Sequence, residues 1–457
     1  MENEFMTEAG LRGLLDLLEA KKYSRARDEI LKNNTVDIAE ILEEVIEELG
    51  IGKAIILFRT LPKDVSAEVF AYLPIDDQID IISGITDKEI DHIIDELSFD
   101  DMIDVLEELP ANVVDKILEK TTKEERRLIN TFLNYPETSA GSLMTPDYIS
   151  LRKNMTVAEA LAYIKKEGMD SETVYTCYIK DEGRKLLGIV SLRTLVVSDD
   201  HLLLSELMHE EIIYVNVLDD QEDVSDTFKK YGFLAIPVVD NEHRLVGIIT
   251  VDDILDVIDE EATEDFQKMA GVAVSTEEYL DMSVWKHVKN RLPWLFILMC
   301  SYVITGGIIS SFEDVLSKVI VLVTYMPMLM GTGGNSGSQS ATLVIRGLAL
   351  GDVDTGDALK VLWKELRVSF LIGIVLSALN FARIYWMDGQ GVPVALTVCG
   401  AMLFIVMAAK TIGSMLPMAA KKVGIDPALM ASPMIASLTD MVSVVTYFAL
   451  ATLILGI

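Results

Sequence analysis

Asp440 lies near the middle of an apolar run, residues 428–457, that is long enough to cross a bilayer. A carboxylate at that depth costs about 2.5–3.5 kcal/mol on insertion scales. Its presence points to a residue that faces a water-filled path and handles an ion or a proton. The competing reading is a structural carboxylate paired to a neighbouring helix. A second apolar run, residues 319–345, contains Tyr325-Met-Pro-Met-Leu-Met-Gly-Thr-Gly-Gly-Asn-Ser-Gly-Ser-Gln-Ser-Ala-Thr342. These glycines do not make a phosphate loop, because no strand precedes them and Pro327 sits inside the run. Gly333 and Gly337, four residues apart, permit close helix approach. Opened backbone there would also offer carbonyls to a pore. Asn335, Ser338, Gln339, Ser340 and Thr342 add neutral oxygens, and Pro433 is expected to free the carbonyl of Leu429.

The donor set in the apolar part is thus one carboxylate with hydroxyls, amides and carbonyls. All five histidines precede residue 292, and Cys177, Cys300 and Cys399 are isolated. Hard oxygen donors select Mg²⁺ or Ca²⁺ over softer metals. Mg²⁺ suits a single carboxylate best, because it sheds water reluctantly and is held through retained waters. The apolar part has no histidine, cysteine pair or Ser–Lys dyad to suggest an enzyme. Lys410 is an ammonium inside another apolar run, expected to snorkel to the membrane surface. The alternatives for it are lining the path or pairing with Asp440.

Five apolar stretches must position these groups: residues 292–310, 319–345, 368–386, 394–417 and 428–457, each near or above the roughly 20 residues needed to span. Loops after the second and fourth hold Arg346, Lys360, Lys364, Arg367, Lys421 and Lys422. Those after the first and third hold only Lys318 beside Glu313, Asp314 and Asp388. The positive-inside rule then puts the N-terminal part in the cytosol and the C-terminus outside. The acidic start of the chain, with no charged-then-apolar leader, fits that orientation.

The rest of the chain is different in kind. The whole protein of 457 residues carries a formal charge of −33. From Arg291 onward there are ten basic and nine acidic residues, so the first part holds 29 basic and 63 acidic, a net of −34. That excludes nucleic acid as a partner, which needs the opposite sign, and suggests cations as partners or regulators. Up to about Asn134, amphipathic patterns such as 10–20, 37–49, 67–73, 76–82, 87–97 and 99–109 alternate with breaks at Pro62, Pro74, Gly84 and Pro110, predicting a small helical superhelix. From Gly141 to Asp259 a motif repeats at a period of about 60 residues: Lys185-Leu-Leu-Gly-Ile-Val-Ser-Leu-Arg-Thr-Leu is answered by Arg244-Leu-Val-Gly-Ile-Ile-Thr-Val-Asp-Asp-Ile-Leu. This resembles a tandem pair of CBS domains, modules that are usually regulatory and often bind adenosine nucleotides. An acidic-then-basic connector follows, with Trp285, Trp294, Lys286, Lys289 and Arg291 suited to a cytosolic membrane interface.

Taken together, the order of parts resembles the MgtE magnesium channel/transporter family over nearly the whole chain. Gly331-Thr-Gly-Gly-Asn-Ser-Gly-Ser-Gln-Ser-Ala-Thr-Leu after Pro327, Val423-Gly-Ile-Asp-Pro-Ala-Leu, and Ser437-Leu-Thr-Asp440 carry the resemblance. It implies a multi-domain membrane protein: an acidic helical N domain (1–140), two CBS domains of α/β type (141–205 and 206–262), a connecting plug helix (263–291) and a five-helix all-α transmembrane domain (292–457). It implies a homodimer in the plasma membrane, with Asp440 of each subunit around a hydrated Mg²⁺ and backbone near Gly331, Gly334 and Ala436 assisting. It further implies closure by cytosolic Mg²⁺ at Asp220, Glu222, Asp253, Asp256, Glu261, Glu264, Asp265 and Asp426, with Glu68 and Asp100 or Asp101 in the helical domain, and ATP as a ligand of the CBS pair. Gly232, Ser338 and Ser443 depart from the family pattern. The alternative function is an ion-coupled exchanger of divalent cations (Mg²⁺, Co²⁺ or Ca²⁺) using Asp440 as carrier.

Overall fold

A computed structural model describes residues 8–169, 171–275, 279–280, 282–430 and 432–456. The acidic start, residues 1–5, lies outside them. The chain divides into two compact units, Met1–Ile258 and Asp259–Ile457.

Among the described residues the first unit opens with ten short helices: α1 (Glu8–Glu19), α2 (Tyr23–Ile30), α3 (Thr35–Leu49), α4 (Ile51–Phe58), α5 (Lys63–Ala71), α6 (Ile75–Gly84), α7 (Asp87–Glu96), α8 (Phe99–Glu108), α9 (Ala111–Lys120) and α10 (Lys123–Phe132). Their starts follow local chemistry. Pro62, Pro74 and Pro110 sit at the caps of α5, α6 and α9, where a missing N–H removes no helical bond. Thr86–Glu89 and Thr122–Glu125 form capping boxes. Gly84 ends α6, and a Cβ there would lie 2.2 Å from Ile55 Cδ1, so the glycine also permits close packing. Leu14, Leu42, Phe70, Ile81 and Ile103 are fully buried, and most carboxylates of this part face outward.

The repeat folds as two similar halves. The first is β1 (Tyr148–Leu151), α11 (Val157–Glu167), β2 (Thr173–Lys180), β3 (Leu186–Ser191) and α12 (Leu192–Val197). The second is α13 (Leu204–Leu207), β4 (Val215–Asn216), α14 (Gln221–Tyr231), β5 (Ala235–Val239), β6 (Leu245–Thr250) and α15 (Val251–Met269). Each sheet has a parallel pair followed by an antiparallel one. Both antiparallel pairs turn through a residue at positive φ, Arg184 at 68° and His243 at 59°. In both turns an aspartate holds the loop: Asp181 accepts from Lys185 N and Asp240 from Arg244 N. The two turns meet, Leu186 N donating to His243 O and Leu245 N to Arg184 O. Local sequence similarity thus becomes structural symmetry.

In the second unit the connector is not one helix. α15 stops at Met269, and Gly271 takes φ +68°, a left-handed conformation that ends the helix. Ser283 caps a new helix, α16 (Val284–Ser311), which runs through Pro293. A Cβ on Gly271 would lie 2.2 Å from the Trp294 ring, so the helix end and the first turns of α16 are clasped. Ala273 N also donates to Asn290 O. α17 (Glu313–Lys318), α18 (Val321–Ala349), α19 (Ala358–Ala382), α20 (Val392–Lys422) and α21 (Ser432–Leu455) follow. Among the described residues four stretches, Val284–Ser311, Thr355–Met387, Val392–Lys422 and Pro427–Leu455, are long and apolar enough to cross a membrane. α18 has comparable length, 29 residues, but carries the Gly-Ser-Thr-Asn-Gln segment that makes it less apolar.

Candidate functional site

α18, α20 and α21 pack where glycine removes side chains. A Cβ on Gly413 would stand 2.1 Å from the Gly337 carbonyl oxygen, so α18 and α20 cross backbone to backbone. On Gly337 it would meet Ile435 at 2.6 Å and Thr439 at 3.2 Å, and on Gly333 it would meet Ser443 Oγ at 2.8 Å. The four-residue glycine spacing therefore serves close packing. The opened backbone expected in α18 does not occur: the helix is continuous from Val321 to Ala349. Pro433 is likewise no interruption, because it sits in the first turn of α21, where its missing N–H removes no interior bond.

Asp440 is 9 % exposed on α21, and no described cation pairs with it. The structural ion-pair reading therefore finds no partner. Gly334 lies against Ala436, with a would-be Cβ 3.6 Å from the alanine Cβ, one turn before Asp440. Gly331 has open space. The Ala436 carbonyl accepts from Thr439 Oγ1 at 3.0 Å. The hydroxyls of Ser437 and Ser443, three residues either side of Asp440, are buried without a described hydrogen-bond partner. Lys410 departs from expectation. It does not snorkel but is 4 % exposed, with Nζ donating to Ser340 Oγ at 3.2 Å.

The acidic candidates separate into groups. Glu68, Asp220, Glu222 and Asp256 are exposed on the first unit, Asp220 capping α14 through Glu222 N. Glu261, Glu264 and Asp265 lie along the end of α15, all three half-buried. Lys268 bridges Glu264 and Asp426, 2.8 Å from the latter. Burial works against its charge, but hydrogen bonds to Asp426 and Glu264 outweigh that and hold the ammonium above the ordinary lysine range. Asp265 is pushed up by burial and by Asp426, with Lys268 opposing. Lys268 was not singled out from sequence, although its i,i+4 spacing from Glu264 is a readable signal.

Within the first unit, distant segments bring carboxylates together. Asp253 accepts from Thr250 Oγ1 at 2.7 Å, yet burial first, and then Asp100 and Asp252, raise it to about 7. Glu172 also rises to about 7, by burial and then by Asp100, Asp252, Asp101 and Asp147. Asp100 Oδ1 is buried without a described partner. Glu172 and Asp147 were missed in the sequence because they lie far from Asp253 along it; Asp252, its immediate neighbour, was readable. Hard oxygens, mutual repulsion and an orphaned carboxylate oxygen fit a divalent cation. Among the described residues no three His, Cys, Asp or Glu already stand in a metal-ligating arrangement, so a cation would have to reach several of them through its water shell.

A pH prediction follows. Folded Glu172 and Asp253 keep their protons to about pH 7, whereas the ordinary values are 4.5 and 3.8. The folded state therefore binds more protons between those limits, and its stability falls as pH rises through about 7. In chelator, the Tm of the full chain in detergent should drop between about pH 5 and about pH 8. Mg²⁺ should raise it at the higher pH far more than at the lower. A Mg²⁺ effect equal at both would remove this cluster as its source.

Comparison with known proteins agrees with this organisation. Residues 326–450 match the MgtE family, described as divalent cation transporters, residues 33–138 the MgtE intracellular N domain, and residues 140–199 and 204–260 the CBS domain. The chain is 37 % identical to the magnesium transporter MgtE of Thermus thermophilus, covering 96 % of this chain and 99 % of that one. It is 34 % identical to the magnesium transporter MgtE of Bacillus subtilis, covering 89 % and 92 %. Among solved structures, the cytosolic domain of the Mg²⁺ channel MgtE in complex with ATP is 34 % identical with a TM-score of 0.49, covering 53 % of this chain and 99 % of that one. On end-to-end similarity to MgtE proteins, with the helical, CBS and membrane-type parts in the same order, the chain belongs to the MgtE family of divalent cation transporters.

Proposed function

We propose that this chain is a Mg²⁺-selective import channel of the plasma membrane, working as a homodimer with its N-terminal unit in the cytosol and its C-terminus outside. The observation that carries the reading is Asp440: a carboxylate with no described cationic partner, flanked by the buried, unpartnered hydroxyls of Ser437 and Ser443. One carboxylate with neutral oxygens is too little to strip Mg²⁺ but suits a hydrated ion. Asp440 from two subunits, with backbone near Gly331, Gly334 and Ala436, supplies a symmetric ring for such an ion. All five helices α16, α18, α19, α20 and α21 span the membrane in this reading, α18 with its polar segment turned to protein and water rather than lipid.

Import needs no ATP hydrolysis. A divalent ion gains about 4.6 kcal/mol per 100 mV of membrane potential. Regulation comes from the acidic groups. Cytosolic Mg²⁺ binds between Asp100, Asp101, Glu172 and Asp253, at Asp220, Glu222, Asp256 and Glu68, and along Glu261, Glu264, Asp265 and Asp426, favouring a closed state. The CBS pair adds ATP as a second cytosolic ligand.

Purified protein in planar bilayers tests the reading. Mg²⁺ currents should reverse at the Mg²⁺ equilibrium potential, independent of a pH gradient, and fall when Mg²⁺ is added to the cytosolic face. A reversal potential that follows the proton gradient would instead make Asp440 the carrier of an exchanger.

A further inference from the structure

Lys410 is an ammonium buried among membrane-type helices, and its surroundings assign it a counter-charge. Its Nζ donates to Ser340 Oγ at 3.2 Å, and Ser340 Oγ donates to Glu365 Oε2 at 2.6 Å. Lys410 is 4 % exposed and Ser340 1 %. The three residues come from α20, α18 and α19, so one hydroxyl joins three helices. A serine hydroxyl has one proton and an ionised glutamate accepts only, which fixes the direction of the chain: ammonium to hydroxyl to carboxylate. Bonds with a charged end are the stronger kind. An unpaired ammonium in this environment would be costly.

The choice of counter-charge is narrow. Across α18, α19, α20 and α21 there are two acidic residues, Glu365 and Asp440. Ser340 lies one turn after Gly337 and Lys410 one turn before Gly413, so the chain sits beside the backbone crossing of α18 and α20. Gly337 also abuts Thr439, the residue before Asp440, and lies close to the Ala409 carbonyl, the residue before Lys410. The ammonium and the proposed ion-binding carboxylate therefore flank one three-helix junction. The four-carbon stem of a lysine is flexible, so its ammonium settles where a partner holds it.

We propose that Glu365 is a positioning residue for conduction: through Ser340 it holds the Lys410 ammonium away from Asp440 and keeps a fixed positive charge off the cation path. The proposal rests on the reading of Asp440 as the conduction site. Without Glu365, the ammonium takes Asp440 as its partner and opposes the ion that Asp440 attracts.

Single-channel recording of the full chain tests this. Glu365→Gln should lower unitary Mg²⁺ conductance about tenfold and weaken block by hexaamminecobalt, a hydrated-ion mimic, by a similar factor, as expected for a like charge near a multivalent ion. Ser340→Ala, which cuts the link without changing charge, should act in the same direction. Lys410→Met added to Glu365→Gln should restore both conductance and block to within about threefold of the parent, since the uncompensated charge is gone. A merely structural role would reduce the number of active channels, leave conductance and block unaltered, and not be rescued by a second buried substitution. Parent channels that carry no Mg²⁺ current would overturn the conduction reading itself. Parent channels that conduct, with Glu365→Gln unchanged in conductance and block, would overturn only the role of Glu365. A double variant as impaired as Glu365→Gln would do the same.

Discussion

Replacing Asp440 by alanine is expected to abolish Mg²⁺ flux in proteoliposomes while leaving a folded, assembled protein. The side chain is buried on α21 and no described cation depends on it, so its loss orphans no partner. What it removes is charge. A unit charge pair at 4 Å and an effective dielectric near 20 is worth about 4 kcal/mol, and a divalent ion at the greater distance of a water-mediated contact feels a comparable attraction. Flux should fall by about a thousandfold, since each 1.4 kcal/mol is tenfold. Asp440→Asn should fall nearly as far, because the amide keeps the shape and loses the charge. Flux through Asp440→Ala within a few-fold of the parent would move the conduction site elsewhere.

The second large effect concerns closure. The part before Arg291 carries a net −34, and each 4 Å approach of two carboxylates costs about 4 kcal/mol at the same dielectric. Mg²⁺ between them reverses the sign. Proteolysis within residues 265–279 should slow as Mg²⁺ rises in the parent. It should lose that dependence when Asp253, Asp256, Glu261, Glu264 and Asp265 are changed together to their amides. A single change should do little, because the charge is distributed. The same multiple variant should also leave channels open at Mg²⁺ concentrations that close the parent. Equal protection of parent and variant would make these carboxylates a solvated face only.

Much of the fold is legible because its causes are local. Prolines at 62, 74 and 110 mark helix starts, and the repeated Leu-Gly-Ile and Val-Gly-Ile runs mark β3 and β6. Gly333 and Gly337 announce close helix packing. The misreadings share a different origin. Lys410 looks like a snorkelling lysine when only its own helix is considered; its burial depends on Ser340 and Glu365, 70 and 45 residues away. Asp100 and Asp253 are named through the family resemblance, but their meeting with Glu172 needs a helix, a strand and a second repeat to have folded, so no spacing reveals it. The connecting helix expected over 263–291 rests on the family resemblance, whereas Ala270-Gly271 is a local stop signal that ends α15. Pro433 misled for a related reason: its effect depends on whether it falls inside a helix or at its first turn.

The clasp between Gly271 and Trp294 leaves position 271 no room for a side chain. The end of α15 and the first turns of α16 meet at this glycine–indole contact and at the bond from Ala273 N to Asn290 O. A single added methyl at position 271 would therefore collide with the indole and strain a left-handed backbone at the same time.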